Sequence, residues 1–440
     1  MLARGGHLAF ALGAAVAVAA GCDWRDFDKL EKTTPVQAIK APSNYPAGDD
    51  FGPILLPLAP PADKSAAGRF IATATNRTSV AVMYVDAAGG VRGDGVNNDA
   101  LIMLGQWPVV SIAAIPGGTD VLLGSPYGSS GAVLDMNVNP PYTTKTFQNV
   151  LEPAFGVGVG AGNIGGAAAP EVVVLSANTL HVYTDGIPTD EHTYASLGAA
   201  DPCPFEFSTA YLPARDQVSR AVLVAPLLAT GTQIAVGTPE PGTPGHVAIF
   251  DFDATTGAIT CAAALTATDP HFGRSMALVD IDGDGAKDHL LVGAPPAHAY
   301  LYTLPLTSGQ APAMSVTDPM GGGDFGAAVA AFDIDGKPGD EMFVGDPDAT
   351  VNGTTTAGKV TIYTGPTMTM VPATTVPNPL AMHEPKTGNG YGSGLAGMTF
   401  CPGAAGADAG AATCAELPLV GSLSRVYAYF TLKKPDPRVK

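Results

Sequence analysis

Asp280, Asp282, Asp284 and Asp288 stand at positions 1, 3, 5 and 9 of one short stretch, with Gly283 and Gly285 between them. Glycine lets the backbone curl, so this spacing turns the carboxylates toward a common point. Like charges that close repel one another unless a cation lies among them. Calcium takes about six to eight oxygens, and four carboxylates, the position-7 carbonyl of Ala286 and water make such a set. The stretch is no EF-hand, because position 12 is Leu291 and strand-like apolar runs flank it where that motif has helices. The expected ion is structural Ca2+, fixing a turn between two strands.

Worn versions of the same stretch recur. After Phe325, which lies 53 positions beyond Phe272 (325 − 272 = 53), Asp333, Asp335 and Asp340 remain, but Lys337 replaces the third carboxylate. Its ammonium would stand in for the ion by pairing with the acids, so these three acids are carried as a degenerate metal loop. After Phe155 the corresponding residues are Asn163, Gly165, Ala167 and Glu171, too few oxygen ligands for calcium, and no ion is expected there.

Loops of this kind need elements to hold them. Phe272-Gly273 opens eight residues before Asp280, and an apolar run closes on Gly293-Ala294-Pro295. Phe325-Gly326 through Gly345-Asp346-Pro347 repeats that order, as does Phe155-Gly156 through 171–176. Weaker copies lie at 219–239, 391–421 and 110–126, and a worn first copy begins at Phe70, about seven in all. Each reads as a short strand, a turn, an apolar strand, an alternating strand such as 298–302 or 358–363, and a looser fourth. Four strands per repeat is the plan of a propeller blade. Second strands that are apolar throughout suit positions buried on both faces.

The Phe-Gly opening, the Asp-x-Asp-x-Asp-Gly-x-x-Asp loop and the Gly-Ala-Pro close together resemble the FG-GAP repeat of the integrin α-subunit propeller and its bacterial relatives. The resemblance implies an all-β fold, a seven-bladed β-propeller of four-stranded antiparallel blades, spanning 50–432 as one domain. Because the last copy ends on its third strand, residues 51–58 are expected to supply the missing outer strand and close the ring.

The N-terminus carries one early cation, Arg4, and then an apolar run over 8–20 that ends Ala19-Ala20-Gly21-Cys22. Thirteen residues are too short to span a bilayer, whose core needs about 20, so 1–21 reads as a lipoprotein signal peptide. Cys22 is then the lipidated residue, 22–49 a flexible tether, and 433–440 a C-terminal tail. Of five cysteines, spending Cys22 on the anchor leaves an even set for an oxidising compartment. Cys401 and Cys414 bracket an insertion in the last repeat and are expected to pair by proximity, which leaves Cys203 with Cys261.

Forty acids against 22 basic residues give a net charge of −18, which repels polyphosphate and excludes nucleic acid as a partner. Hydrophobic residues at 46% and charged ones at 14% exclude disorder. Gly353 to Lys359 fits the front of a phosphate loop, but Val360 stands where Ser or Thr is required. Gly160 to Gly165 fits a dinucleotide fingerprint with no helix after it, and Arg92-Gly93-Asp94 lies in a Gly/Asn-rich turn. No Gly-x-Ser-x-Gly or His-Glu-x-x-His is present, and His181, His246 and His298 fall in strands as packing residues. No catalytic residue is nominated. By the FG-GAP resemblance, the expected function is a monomeric, non-catalytic binding scaffold for protein or glycan. It would be lipid-anchored, extracytoplasmic, and displayed on a bacterial membrane. The alternative is a hydrolase of glycan or lipid with its site in the axial channel.

Overall fold

A computed structural model gives the fold. It describes residues 36–40 and 51–429 except 61–65, 74–78, 88–89, 93–100, 104–107, 137–141, 167–168, 185–189, 198–200, 206–220, 239–243, 319–320, 322, 335–337, 364–371, 378–389, 402–413 and 424. Residues 1–21, read as a signal peptide, Cys22, the parts of the stretch read as a tether at 23–35 and 41–49, and 433–440, read as a tail, lie outside the described residues.

Seven antiparallel sheets form a β-propeller. Blade 5 shows the plan: Ser275–Val279, His289–Ala294, His298–Thr303 and Met314–Thr317 pair in that order. The innermost strands of blades 1 to 7 are Ile54–Leu58, Ser111–Ala114, Gly158–Gly162, Val222–Ala225, Ser275–Val279, Ala328–Phe332 and Gly394–Phe400. Each lies against the next, and the seventh returns to the first, so the ring is closed. In blade 1 the outer strand is in two pieces, Val91–Arg92 and Leu101–Met103, both paired to Ser79–Val85. No helix among the described residues is long and apolar enough to cross a membrane.

The core is divided among the seven blade junctions, one apolar cluster to each. This explains the unbroken apolar second strands. In His289–Ala294, Leu290 and Val292 pack toward blade 4 while Leu291 packs toward blade 6. Alternation with period two therefore feeds two interfaces in place of one core and one solvent face.

The closing strand differs from the expectation. Residues 51–58 do not form the outer strand of the last blade, since Ile54–Leu58 is the innermost strand of blade 1, paired to Gly68–Thr73. Ring closure falls to Val36–Lys40, inside the stretch read as tether, which pairs along its whole length with Arg425–Tyr429. Ile39 is the buried anchor of that strand. A strand of five residues leaves little periodic signal, and Phe51-Gly52 is itself the opening of the first repeat. Its glycine has φ +124° and its aromatic ring is fully buried, as in the later copies.

Those Phe-Gly pairs form the joints between blades. Phe51, Phe155, Phe272, Phe325 and Tyr391 are buried plugs. The glycine after each has positive φ, as in Gly326 at +95°. The Gly326 N–H donates to the Gly345 carbonyl of its own blade at 3.0 Å. Its own carbonyl presses on Gly293 of the preceding blade, so closely that a Cβ on Gly293 would overlap that oxygen. Gly124 against Gly156, Gly237 against Gly273, Gly345 against Gly392 and Gly421 against Gly52 repeat the contact.

Candidate functional site

In an antiparallel blade, the turns between strands 1 and 2 and between strands 3 and 4 emerge on one face of the disc. Turns between strands 2 and 3, and the crossings to the next blade, emerge on the other. The acidic loop of blade 5 joins strands 1 and 2 and so belongs to the first face.

Asp280, Asp282 and Asp284 converge there, with one carboxylate oxygen from each lying within 4.8 Å of the others. Asp280 is buried and the other two are exposed. Local hydrogen bonds set the turn. Gly283 N–H donates to Asp280 Oδ1 at 2.7 Å and Gly285 N–H to Oδ2 at 2.9 Å, both glycines having positive φ. Asp282 Oδ1 accepts the Asp284 N–H at 3.2 Å, and Asp284 Oδ1 accepts that of Ala286 at 2.7 Å.

Asp288 does not join the cluster. Its Oδ1 lies 2.6 Å from Nδ1 of His289, a neighbour in sequence that competes for the carboxylate. The degenerate loop of blade 6 behaves differently again. Asp335 and Lys337 lie outside the described residues, and Asp333 is placed without entering a metal cluster among them. Asp340 is turned away from its own loop. It accepts the Asp280 N–H at 2.8 Å and pairs with Lys287, so it braces the loop of blade 5. Burial pushes the Glu416 carboxyl of blade 7 above its usual range, with Asp340 and Asp333 adding to the shift against Lys287. In blade 3 the buried Glu171 accepts the Ile164 N–H at 2.7 Å, and in blade 6 Glu341 does the same for Ile334 at 2.9 Å. A carboxylate at the start of the second strand thus holds the turn.

An axial cavity of about 320 Å³ opens on the opposite face. One apolar side chain from every blade reaches it: Leu55, Ile112, Val159, Val222, Met276, Val329 and Leu395. Charged groups of the lining are Arg274, Asp324 and Asp348, from the crossings and turns at the rim. On the same face Tyr127, Val150 and Leu151 are exposed, Leu151 by 89%. Their two turns are tied side by side, with Asn149 N–H donating to the Ser129 carbonyl at 2.9 Å and Ser129 Oγ to that of Glu152 at 3.0 Å.

No protein-family model matches the chain, and no curated protein does either.

Both expected disulfides are present: Cys401–Cys414 and Cys203–Cys261. What the sequence reading missed is a set of clasps between blades. Glu152, Asp269 and Asp318, each followed by proline, leave one blade and meet a base on the third strand of the next. His181 Nε2 lies 2.9 Å from Glu152, with its Nδ1 2.7 Å from Glu191. His298 Nδ1 lies 2.7 Å from Asp269, which also accepts the Tyr300 hydroxyl at 2.5 Å. Burial first, and then that bond, push the Tyr300 phenol well above its usual value. Lys359 Nζ lies 2.7 Å from Asp318. The recurring acid-proline pair ahead of Phe-Gly was the available signal.

Proposed function

We propose that this protein is a non-catalytic, lipid-anchored scaffold of the cell envelope, an FG-GAP-like propeller that binds protein or glycan through the face carrying Tyr127, Val150 and Leu151. The observation that carries the reading is that exposed apolar cluster, set on tied turns of a rigid ring beside the mouth of the cavity. Exposed apolar side chains grouped together mark interaction surfaces, and loops on a rigid frame are where recognition concentrates. The apolar wall of the cavity, with carboxylates only at its rim, supports binding over hydrolysis.

The test uses the full chain with Cys22→Ser, since a soluble form starting at residue 50 would lose the closing strand Val36–Lys40. Envelope protein or glycan captured by this chain should be lost with Leu151→Asp, a change at an exposed side chain that leaves the fold intact. Equal capture by the variant would sink the assignment of this face.

The acidic loop on the other face is read as a calcium site. Its oxygen-only donor set of Asp280, Asp282 and Asp284 fits the ion, with the Ala286 carbonyl and water to complete it. Asp288 would join only by leaving His289. The ion would neutralise the three converging charges and hold the turn between two strands. Chelator should lower the melting temperature of the wild type, and Asp284→Ala should abolish that response. Asp280→Ala should instead cost about 2 kcal/mol even in chelator, because it orphans the Gly283 and Gly285 N–H groups. Identical melting of the wild type with and without chelator would overturn the calcium reading.

A further inference from the structure

At the junction of blades 5 and 6 three ionisable side chains are shut away from water. Lys359 is 2% exposed, Asp318 3% and Asp346 0%. Lys359 and Asp346 are cross-strand partners in register, and Asp318 arrives from the end of the outer strand of blade 5. Lys359 Nζ lies 2.7 Å from Asp318 Oδ1 and 3.2 Å from Asp346 Oδ2. Asp346 Oδ1 accepts the Asp324 N–H at 2.6 Å, whereas Oδ2 makes no hydrogen bond and is left facing the lysine nitrogen.

Two carboxylates against one ammonium would leave a net negative charge in the interior, a costly arrangement. Burial pushes the Asp346 carboxyl above its usual range even though Lys359 opposes the shift. With Asp346 as the neutral acid the triad balances: one ammonium, one carboxylate, one carboxylic acid. Those are the components of a condensation, held in contact and sheltered from water.

We propose that Lys359 and Asp318 condense to an intramolecular amide, with Asp346 relaying the protons, so that blades 5 and 6 are covalently joined. The ammonium first gives a proton to the Asp318 carboxylate, a transfer that low polarity favours because it removes two charges. The neutral amine then attacks Cγ of Asp318 while Asp346 Oδ2–H protonates the carbonyl oxygen. As the tetrahedral centre collapses, Asp346 Oδ2 takes a proton from nitrogen, passes it to the leaving hydroxyl, and takes back the proton it had lent to the carbonyl oxygen. One C–N bond forms, one C–O bond breaks, water leaves, and Asp346 ends as it began. No oxidant or cofactor is needed. Holding nucleophile and carbonyl together supplies much of the barrier reduction, and exclusion of water protects the product.

The other blades provide an internal comparison. The same cross-strand pair is Thr238 and His246 in blade 4, and Ala294 and His298 in blade 5. Imidazole forms no stable amide, and neither threonine nor alanine relays protons as a carboxyl does. Only blade 6, among these, holds amine, carboxylate and second acid together.

Peptide mapping of the full chain by mass spectrometry, after reduction and trypsin digestion, tests the bond. Lys337 precedes Pro338 and is not cut, so Asp318 and Lys359 lie on one tryptic peptide. The expected result is a looped peptide covering 288–386, uncleaved after Lys359 and lighter by one water than the linear chain. Recovery of the unmodified peptide ending at Lys359 as the main product would overturn the proposal, and this wild-type measurement decides it whether or not a variant folds. Asp346→Asn should keep the circular dichroism spectrum and lose the looped peptide. Its persistence in that variant would overturn the role given to Asp346.

Discussion

Gly293→Ala should destabilise the propeller by about 3 kcal/mol or more, read as a fall in the urea midpoint at unchanged slope. The new Cβ meets the Gly326 carbonyl oxygen and the Ser275 hydroxyl. That hydroxyl itself donates to Gly326 at 3.2 Å, so the methyl group wedges apart a joint that is also hydrogen-bonded. The obstruction is backbone of the next blade, which can yield only if the blade moves. Gly309→Ala serves as the contrast. Gly309 has φ +68° and a methyl group there would meet nothing within 4 Å, so only left-handed strain of about 1 kcal/mol is expected. Equal losses at the two positions would mean that the blade contact contributes nothing beyond local backbone strain.

Removing the Cys203–Cys261 disulfide, by serine at both positions, should cost about 4 kcal/mol by the loop-closure argument, given the separation of 58 residues. For Cys401–Cys414, with a separation of 13, the same argument gives about 3 kcal/mol. The longer staple sits where the glycine joint is missing. In blade 3 the carbonyl that receives the Gly156 N–H belongs to Leu175, where blades 5 to 7 carry glycine. A bond from the exit of blade 3 to the outer strand of blade 4 secures that junction instead. Asp201 fixes the approach: it accepts the Tyr194 hydroxyl at 2.6 Å, the Leu197 N–H at 3.0 Å and the Cys203 N–H at 2.9 Å. Burial works to raise its carboxyl, but these bonds prevail and hold it below its usual 3.8. A depressed acid stabilises the fold above its unfolded value, and that contribution is lost as pH falls through the folded one. The difference between wild type and Asp201→Asn should therefore be largest at neutral pH and fade below about pH 4. A difference that grew toward low pH would contradict the hydrogen-bonded carboxylate.

The strand plan was legible because each repeat carries residues that stereochemistry demands. Positive φ at Gly273 and Gly326, and a collision on any side chain at Gly293 and Gly345, leave glycine in fixed places along the chain. The apolar second strands, buried from both sides, announced themselves by composition. In the acidic loop the convergence of Asp280, Asp282 and Asp284 followed from local turn geometry, where each carboxylate is held by a backbone N–H two to five residues on. Asp288 stands outside that convergence, its carboxylate drawn to a histidine whose orientation the loop pattern does not encode.

The sequence by itself determined the repeat, the number of blades, the cysteine pairs and the loop where three carboxylates meet, since all of these depend on contacts within a repeat or on counting. Only the tertiary structure decided that Val36–Lys40 closes the ring, that Asp340 serves the loop of the neighbouring blade, and that Asp318, Lys359 and Asp346 share one buried site. The first pairs the two ends of the described chain within one blade, and the other two pair residues from different blades. Which residues meet across such a junction depends on how whole sheets stack around the axis, and no local pattern in the chain carries that register.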